Sequence, residues 1–245
     1  MFLKLQPIFY SLIFFGGLEA IILKPDLIRY ILLILLILAF FQGKKVGGQW
    51  FFSILPVFFT LSSLALLYLI SILIEQQIFI VLVTLMYYLS LLSAYRLGQY
   101  AGDQTAKGMN MAASSATIFF TYASAYGLYL NFDVPLYWLM LVYLLVTLLV
   151  SFQYFSIIEN DSKKVWTFSF LLALLMVEIV WAINYWPFGY LTTGVIALIL
   201  YYILWDLVQS YFLNLLSRKR VTANMIFFSF LIIMVLLSAK WTPVI

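Results

Sequence analysis

The sequence predicts an all-α protein, a bundle of about nine helices that cross a membrane. Hydrophobic residues make up 66% of the 245 positions and charged residues only 9%, whereas a soluble domain carries about 25% charged residues. The chain also contains a series of apolar runs near the length that spans a bilayer, about 20 residues. These runs lack the alternation of a barrel strand, and only helices and closed barrels satisfy the backbone in lipid.

Nine segments are predicted as spanning helices, separated by short polar, glycine-containing or proline-containing stretches. In chain order they are 6–23, 27–42, 50–74, 77–95, 109–130, 135–157, 165–186, 190–215 and 222–239. No loop between them is long enough for a soluble domain, so we expect a single transmembrane domain over residues 1–245. No small-residue cleavage site follows the first run, which favours a mature helix over a signal peptide.

The second span is the one in doubt. Its uninterrupted apolar core, residues 30–41, is only 12 residues long and follows Arg29. Runs that short are often re-entrant or interfacial, although Arg29 can extend to the headgroups along its aliphatic stem. Nine helices are therefore favoured and eight are the alternative. Within the third span, Pro56 predicts a kink, because proline removes one helical hydrogen bond.

Basic residues predict the orientation, since cytoplasmic loops carry an excess of Lys and Arg. With nine helices, ten of the 13 basic residues fall on one side; Lys24, Arg29 and Lys240 fall on the other. With eight helices the division is 11 to 2. In both cases the loop formed by Arg218, Lys219 and Arg220 is predicted to be cytoplasmic, in a protein of the plasma membrane. No soluble domain surrounds this cluster, which argues against a nucleic-acid partner.

Two carboxylates inside predicted spans are the candidate polar site, because charges within a membrane are costly. Asp206 lies on one helix face with residues spaced four apart, and Glu178 lies on the preceding helix. A tight turn at 186–189 makes the two helices antiparallel neighbours, so their polar stripes are expected to meet near mid-membrane, with no Lys or Arg at that depth. The other members of the site are Tyr202, Ser210, Asn214, Tyr185 and Asn184.

Two interpretations of these carboxylates stay open. They could form a proton or cation path, which would require raised pKa values. They could instead hold helices together through interhelical hydrogen bonds, worth about 0.6 kcal/mol each on average. The second interpretation is favoured, and a catalytic pair is not expected at mid-membrane. Glu19, near the end of the first helix, is expected to reach the headgroups or to pack between helices.

The helix at 109–130 carries small residues along one face, namely Ala112, Ala116, Ala123 and Gly127. Small residues let helix backbones approach closely in a membrane. We therefore expect this helix in the centre of the bundle or at a subunit interface, and a hydroxyl-lined pore is the less favoured alternative. The chain has no cysteine and no histidine, so no catalytic, cofactor or thiolate- or imidazole-based metal site is predicted.

Four stretches together suggest a known family: 51–56 (FFSILP), 112–117 (AASSAT), 186–194 (WPFGYLTTG) and the Ser-Ala-Lys-Trp sequence at 238–241. They resemble a family of bacterial multi-pass membrane proteins described only as a domain of unknown function. The resemblance covers most of the chain and implies a membrane location, which we expect to be the bacterial inner membrane. It implies no activity and no functional residue.

Three functions are consistent with the sequence. The first is a small transporter or channel that uses the intramembrane carboxylates. The second is an accessory or scaffold subunit, in which the small-residue face binds a membrane-protein partner or a second copy. The third is an enzyme or carrier that acts on lipid, because aromatic residues form 20% of the chain. Besides the bilayer no partner is identified, and enzymatic activity is the less favoured interpretation.

Overall fold

Nine α-helices make up most of the described chain, and no strand occurs among the described residues, which confirms the predicted fold class. The computed structural model describes residues 2–132 and 134–239, so the prediction for Lys240 lies outside the described residues. The helices are α1 (Phe2–Leu23), α2 (Ile28–Gly47), α3 (Ile54–Leu69), α4 (Leu73–Gln99), α5 (Gln104–Asn131), α6 (Leu136–Phe155), α7 (Ser162–Ile183), α8 (Tyr190–Phe212) and α9 (Arg218–Ser238).

Eight of these helices are long and apolar enough to cross a membrane, and α5 is the exception. The second span is among these eight, which agrees with the favoured interpretation of a full crossing and not with the alternative of a short segment. With the turn before it, α2 forms a 23-residue candidate span, Pro25–Gly47. The chain is an integral membrane protein with many spans.

The extra length of α2 comes from residues 43–47, which the sequence suggested were a loop. A Cβ atom on Gly43 would lie 2.6 Å from the Cα of Ser53, and one on Gly47 would lie 2.5 Å from the ring of Phe52. A Cβ atom on Gly98 of α4 would lie 2.7 Å from the Gly47 carbonyl oxygen. Packing that only glycine permits thus carries the helix through a stretch of low helix propensity.

Helix α5 has 28 residues, about 42 Å at 1.5 Å per residue. Its polar residues lower its hydropathy, yet many of them are covered by protein. Buried polar residues in this helix are Asn110, Ser114, Thr117, Thr121 and Ser124. Short connections join α5 to α4 and to α6, as expected of antiparallel neighbours. A helix that other helices cover does not need the hydropathy of a lipid-facing one.

Pro56, for which a kink is predicted, lies in the first turn of its helix. It is the third residue of α3, which begins at Ile54 after a short 3-10 turn. In the first turn of a helix the missing N–H of proline has no intrahelical acceptor, so no hydrogen bond is lost. The candidate span does begin at Trp50, but its first four residues form the 3-10 turn, so Pro56 is near the start of the α-helix and not in its interior.

The chain divides into two compact units, Met1–Thr121 and Tyr122–Ile245, with α5 shared between them. In the first unit, Phe14 of α1 stacks on Tyr87 of α4 with ring centroids 4.2 Å apart. The Tyr87 hydroxyl donates to the side-chain oxygen of Gln42 on α2 at 2.7 Å. A buried apolar cluster surrounds this pair. The expectation of one transmembrane domain over 1–245 stays a prediction.

In the second unit α7 and α8 are antiparallel neighbours, as the short turn predicts. Phe168, near the start of α7, packs against Tyr211 and Phe212 at the end of α8, with ring centroids 5.1 and 5.3 Å apart. At the opposite end, Ile183 of α7 and Ile196 of α8 share an apolar cluster. This arrangement brings the two carboxylate-bearing helices side by side.

Candidate functional site

Asp206 lies on α8 with only 8% of its surface exposed, and both of its carboxylate oxygens are bound by α9. The Arg220 guanidinium donates to Oδ1 at 3.0 Å. The Asn224 side-chain amide donates to Oδ2 at 2.6 Å. Asp206 therefore has a basic partner at the start of the next helix, which was not anticipated from the sequence. The charge of this carboxylate is compensated inside the chain.

The start of α9 explains how Arg220 comes to face Asp206. Arg218, Lys219 and Arg220 form the first turn of α9, so the predicted basic loop is part of a helix. The Ser217 hydroxyl caps this turn by accepting from the Arg220 N–H at 3.3 Å. Cations at a helix N-terminus are unfavourable by roughly 0.3–1 kcal/mol each at exposed positions. Pairing of Arg220 with Asp206 offsets part of that cost.

Three of the four members of the Asp206 stripe share one face of α8. Tyr202 is half-buried, with its ring centroid 5.1 Å from that of Phe228 on α9. Ser210 is buried, and its hydroxyl has no hydrogen-bond partner among the described residues. Asn214 lies beyond the end of α8 in the left-handed conformation with φ 55°, and it is exposed. The polar stripe ends with the helix at Phe212, because Asn214 turns the chain instead of extending it.

Glu178 lies on the exposed side of α7, between the buried residues Met176 and Val180. No hydrogen bond or ion pair joins it to any residue in the described part of the chain. Tyr185, seven residues on, is 71% exposed, and Asn184 is half-buried at the end of the helix. The structure thus joins Asp206 to α9 and leaves the Glu178 side chain exposed on α7. It does not bring the two carboxylates together.

A buried hydroxyl network in the second unit was not anticipated from the sequence. The ring of Tyr122 stacks on Tyr143 at 3.9 Å, and the Tyr122 hydroxyl lies 2.5 Å from that of Thr147. The Tyr143 hydroxyl donates to the Tyr122 carbonyl oxygen at 3.1 Å. Further along α6, Ser151 and Tyr201 lie 3.1 Å apart. The signal was present, because Tyr143, Thr147 and Ser151 recur every four residues.

The predicted small-residue face of α5 is divided in the structure. Ala112 is exposed, and Ala116 packs against the apolar cluster of the first unit. Ala123 and Gly127 are buried. A Cβ atom on Gly194 of α8 would lie 2.8 Å from that of Ala123, so α5 and α8 approach closely there. The second half of the predicted face therefore packs within the chain.

No group of three or more acidic residues in the described part of the chain is arranged to hold a metal ion. A protein-family model described as "Protein of unknown function (DUF5656)" matches residues 28–238. No curated protein matches the chain, and no solved structure does. The match includes three of the four stretches that suggested a family of unknown function. The chain belongs to the DUF5656 family.

Proposed function

We propose that this protein is an accessory subunit of a membrane assembly, and that it binds its partner through the face of α7 that carries Glu178. One observation carries the proposal: a carboxylate inside a candidate span lies on the outer surface without a partner in the described chain. Ionisable residues within membranes almost always face a bundle interior or pair with another group. A partner subunit would provide such a group.

The residues around Glu178 suit a protein interface. Trp181, Ala182 and Tyr185 follow it at three, four and seven residues, and all of them are exposed. Trp181 and Tyr185 pack edge to face at 5.6 Å, which presents a preorganised aromatic pair. Aromatic residues are enriched in interfaces, and a small residue such as Ala182 lets a second helix approach. The partner helix would carry a basic or amide side chain at the depth of Glu178.

The transporter hypothesis receives less support from the geometry. A relay carboxylate must exchange its proton with a path, and Asp206 is instead bound by Arg220 and Asn224. Glu178, the other half of the relay, lies on the outer surface. A proteoliposome flux that the Asp206→Asn substitution abolishes would restore transport as the function.

Location and orientation form a second part of the proposal. The protein would reside in the plasma membrane of a bacterium, with Arg218, Lys219 and Arg220 at the cytoplasmic surface. The positive-inside rule supports this orientation. Lys163 and Lys164, in the first turn of α7, would lie on the same side, because α7 and α8 form an antiparallel pair.

Photocrosslinking in membranes tests the docking proposal. A benzophenone amino acid at Ala182 should yield a crosslink to one membrane protein, and Glu178→Leu should reduce that product at least five-fold. Met225→Ala is the control, since Met225 is exposed on α9 and does not lie on this face of α7, and it should keep the product. A product that is equal in the Glu178→Leu variant, or lipid adducts alone, would contradict the proposal.

A further inference from the structure

A groove of about 440 Å³ lies on the surface of the first unit between α1 and α4. Its volume falls within the range of about 300–1,000 Å³ that is usual for small-molecule sites. Both helices are candidate membrane spans, so a groove between their exposed side chains would meet acyl chains once the helices lie in a bilayer. One wall is formed by Ile8, Ser11 and Phe15 of α1, and the other by Val81, Thr84 and Leu85 of α4.

The groove follows from side-chain size at a fixed helix spacing. Phe14 and Tyr87 stack at 4.2 Å and set the separation of α1 and α4. Beside that pair, the short side chains of Ser11 and Thr84 leave space unfilled. If the gap stayed empty, its walls would lack dispersion contacts. In a bilayer, the acyl chain of a lipid can fill the gap and provide those contacts.

A carboxylate lies one helical turn beyond the lining residues of the groove. Glu19 lies one turn beyond Phe15 on α1, and Gln77 lies one turn before Val81 on α4. The Gln77 amide donates to the Glu19 carboxylate at 3.2 Å, which joins the two walls. No lysine or arginine in the described chain forms an ion pair with Glu19. Its negative charge near the end of α1 favours a cationic group among the lipid headgroups and disfavours an anionic one.

The Thr84 hydroxyl is a second polar feature of the groove. Its oxygen is buried and has no hydrogen-bond partner among the described residues. Other threonines in the spans donate to the carbonyl four residues before them, as Thr60 and Thr117 do at 2.8 Å. The Thr84 hydroxyl is therefore an unused donor that lies covered beside the groove, and a rotation of its side chain would be needed to present it to a ligand oxygen such as the ester carbonyl of a phospholipid.

We propose that the α1–α4 groove binds one phospholipid with a primary ammonium headgroup. One acyl chain lies between the walls, and the ammonium group pairs with Glu19. A phosphatidylethanolamine meets both requirements. Phosphatidylglycerol has no cation, and the quaternary ammonium of phosphatidylcholine has no N–H to donate. This site is separate from the Glu178 face, so either proposal can fail without the other.

Native mass spectrometry of the full chain in mild detergent tests this site, with equal amounts of phosphatidylethanolamine, phosphatidylcholine and phosphatidylglycerol added. The wild-type protein should retain one phosphatidylethanolamine at least five-fold more than either competitor. Glu19→Gln should abolish the preference and leave chain binding in place. Equal retention of the three lipids by the wild-type protein, or an unchanged preference in Glu19→Gln, would overturn the headgroup assignment.

Filling the groove tests the position of the chain. Val81→Trp should reduce bound lipid about ten-fold, and because Val81 is 52% exposed the substitution leaves the core untouched. Leu82→Trp is the matched control on the same helix, outside the groove and 55% exposed, and it should bind as the wild-type protein does. Thr84→Leu provides a second groove variant with the same expected loss. Wild-type lipid retention in both groove variants would show that the lipid binds elsewhere.

Discussion

The Arg220 guanidinium, at the start of α9, lies 3.0 Å from the Asp206 carboxylate of α8. None of the described residues of α9 is fully buried. Toward its other end, Val235 and Leu236 pack against the cluster that contains Ile196. Helix α9 is thus attached to the second unit by a polar pair at its beginning and by apolar packing at its end.

Asp206→Asn should weaken the attachment of α9. The substitution removes the negative partner of Arg220, and we expect a loss of about 1–2 kcal/mol, limited by solvent screening because the Arg220 side chain is 40% exposed. Thermal unfolding in detergent measures the loss. The chain has no cysteine, so a disulfide between Tyr202→Cys and Phe228→Cys reports contact between α8 and α9. This disulfide should form more slowly when Asp206→Asn is also present than when Asp206 is intact. Arg218→Gln is the control, because it removes a charge and leaves the Asp206–Arg220 pair intact. Equal stability of Asp206→Asn and Arg218→Gln would show that this pair does not hold α9 in place.

Gly98→Ala should destabilise the first unit by about 1–3 kcal/mol, because the new methyl group would lie 2.7 Å from the Gly47 carbonyl oxygen. Gly108→Ala is the matched control, since a Cβ atom there meets nothing within 4 Å. That control should be neutral or stabilising by about 0.5–1 kcal/mol, the helix-propensity gain of alanine over glycine. Denaturant titration in mixed micelles compares the two, and similar effects would argue against the α2–α4 contact.

The hydroxyl pair of Tyr122 and Thr147 should couple energetically. A double-mutant cycle with Tyr122→Phe and Thr147→Val isolates their hydrogen bond. Bonds of this kind between membrane helices are worth about 0.6 kcal/mol on average and at most about 1.7. Because both residues are fully buried, we expect a coupling in the upper part of that range. A cycle of Tyr122→Phe with Ser169→Ala, which is not part of the network, should show none.

Protonation of Asp103 should destabilise the connection between α4 and α5 at low pH. The Ala106 N–H donates to this carboxylate at 3.1 Å and, with Arg96 beside it, holds the pKa of Asp103 below its ordinary value. The stabilisation is therefore fully present above the unfolded pKa of about 3.9 and is lost as the pH falls through the lowered value. Asp103→Ser keeps a helix cap without the charge.

The thermal midpoint of the wild-type protein should therefore fall more than that of Asp103→Ser between pH 6 and pH 2. Parallel pH profiles of the two proteins would show that Asp103 does not contribute. Asp161→Ser, at the cap of α7, serves as a comparison for a second capping carboxylate.

Cysteine labelling should place the two ends of α7 on opposite sides of the membrane. In the proposed orientation a membrane-impermeant maleimide added outside reacts with Tyr185→Cys and not with Ser162→Cys until the cells are opened. Ser217→Cys should behave as Ser162→Cys does, because α7 and α8 form an antiparallel pair. Labelling of Ser162→Cys and Ser217→Cys from opposite sides would refute this arrangement.

Much of the fold follows from local composition. The membrane setting, the helical class and all nine helices could be predicted, because eight of the helices depend on an apolar run that needs no knowledge of its neighbours. The bounds of helices were predicted less well where they depend on contacts with other parts of the chain. Helix α2 extends through Gly43 and Gly47 because α4 and the 3-10 turn before α3 contact it there, and α5 tolerates buried hydroxyls because other helices cover it.

The candidate site shows the same division. The sequence by itself determined that Asp206 and Glu178 lie within candidate membrane spans, since their neighbours along the chain are apolar. Only the tertiary structure decided that Asp206 binds Arg220 while Glu178 lies on the outer surface. Periodicity assigns a residue to a face of its own helix, but which neighbouring helix covers that face depends on contacts between residues far apart in the chain.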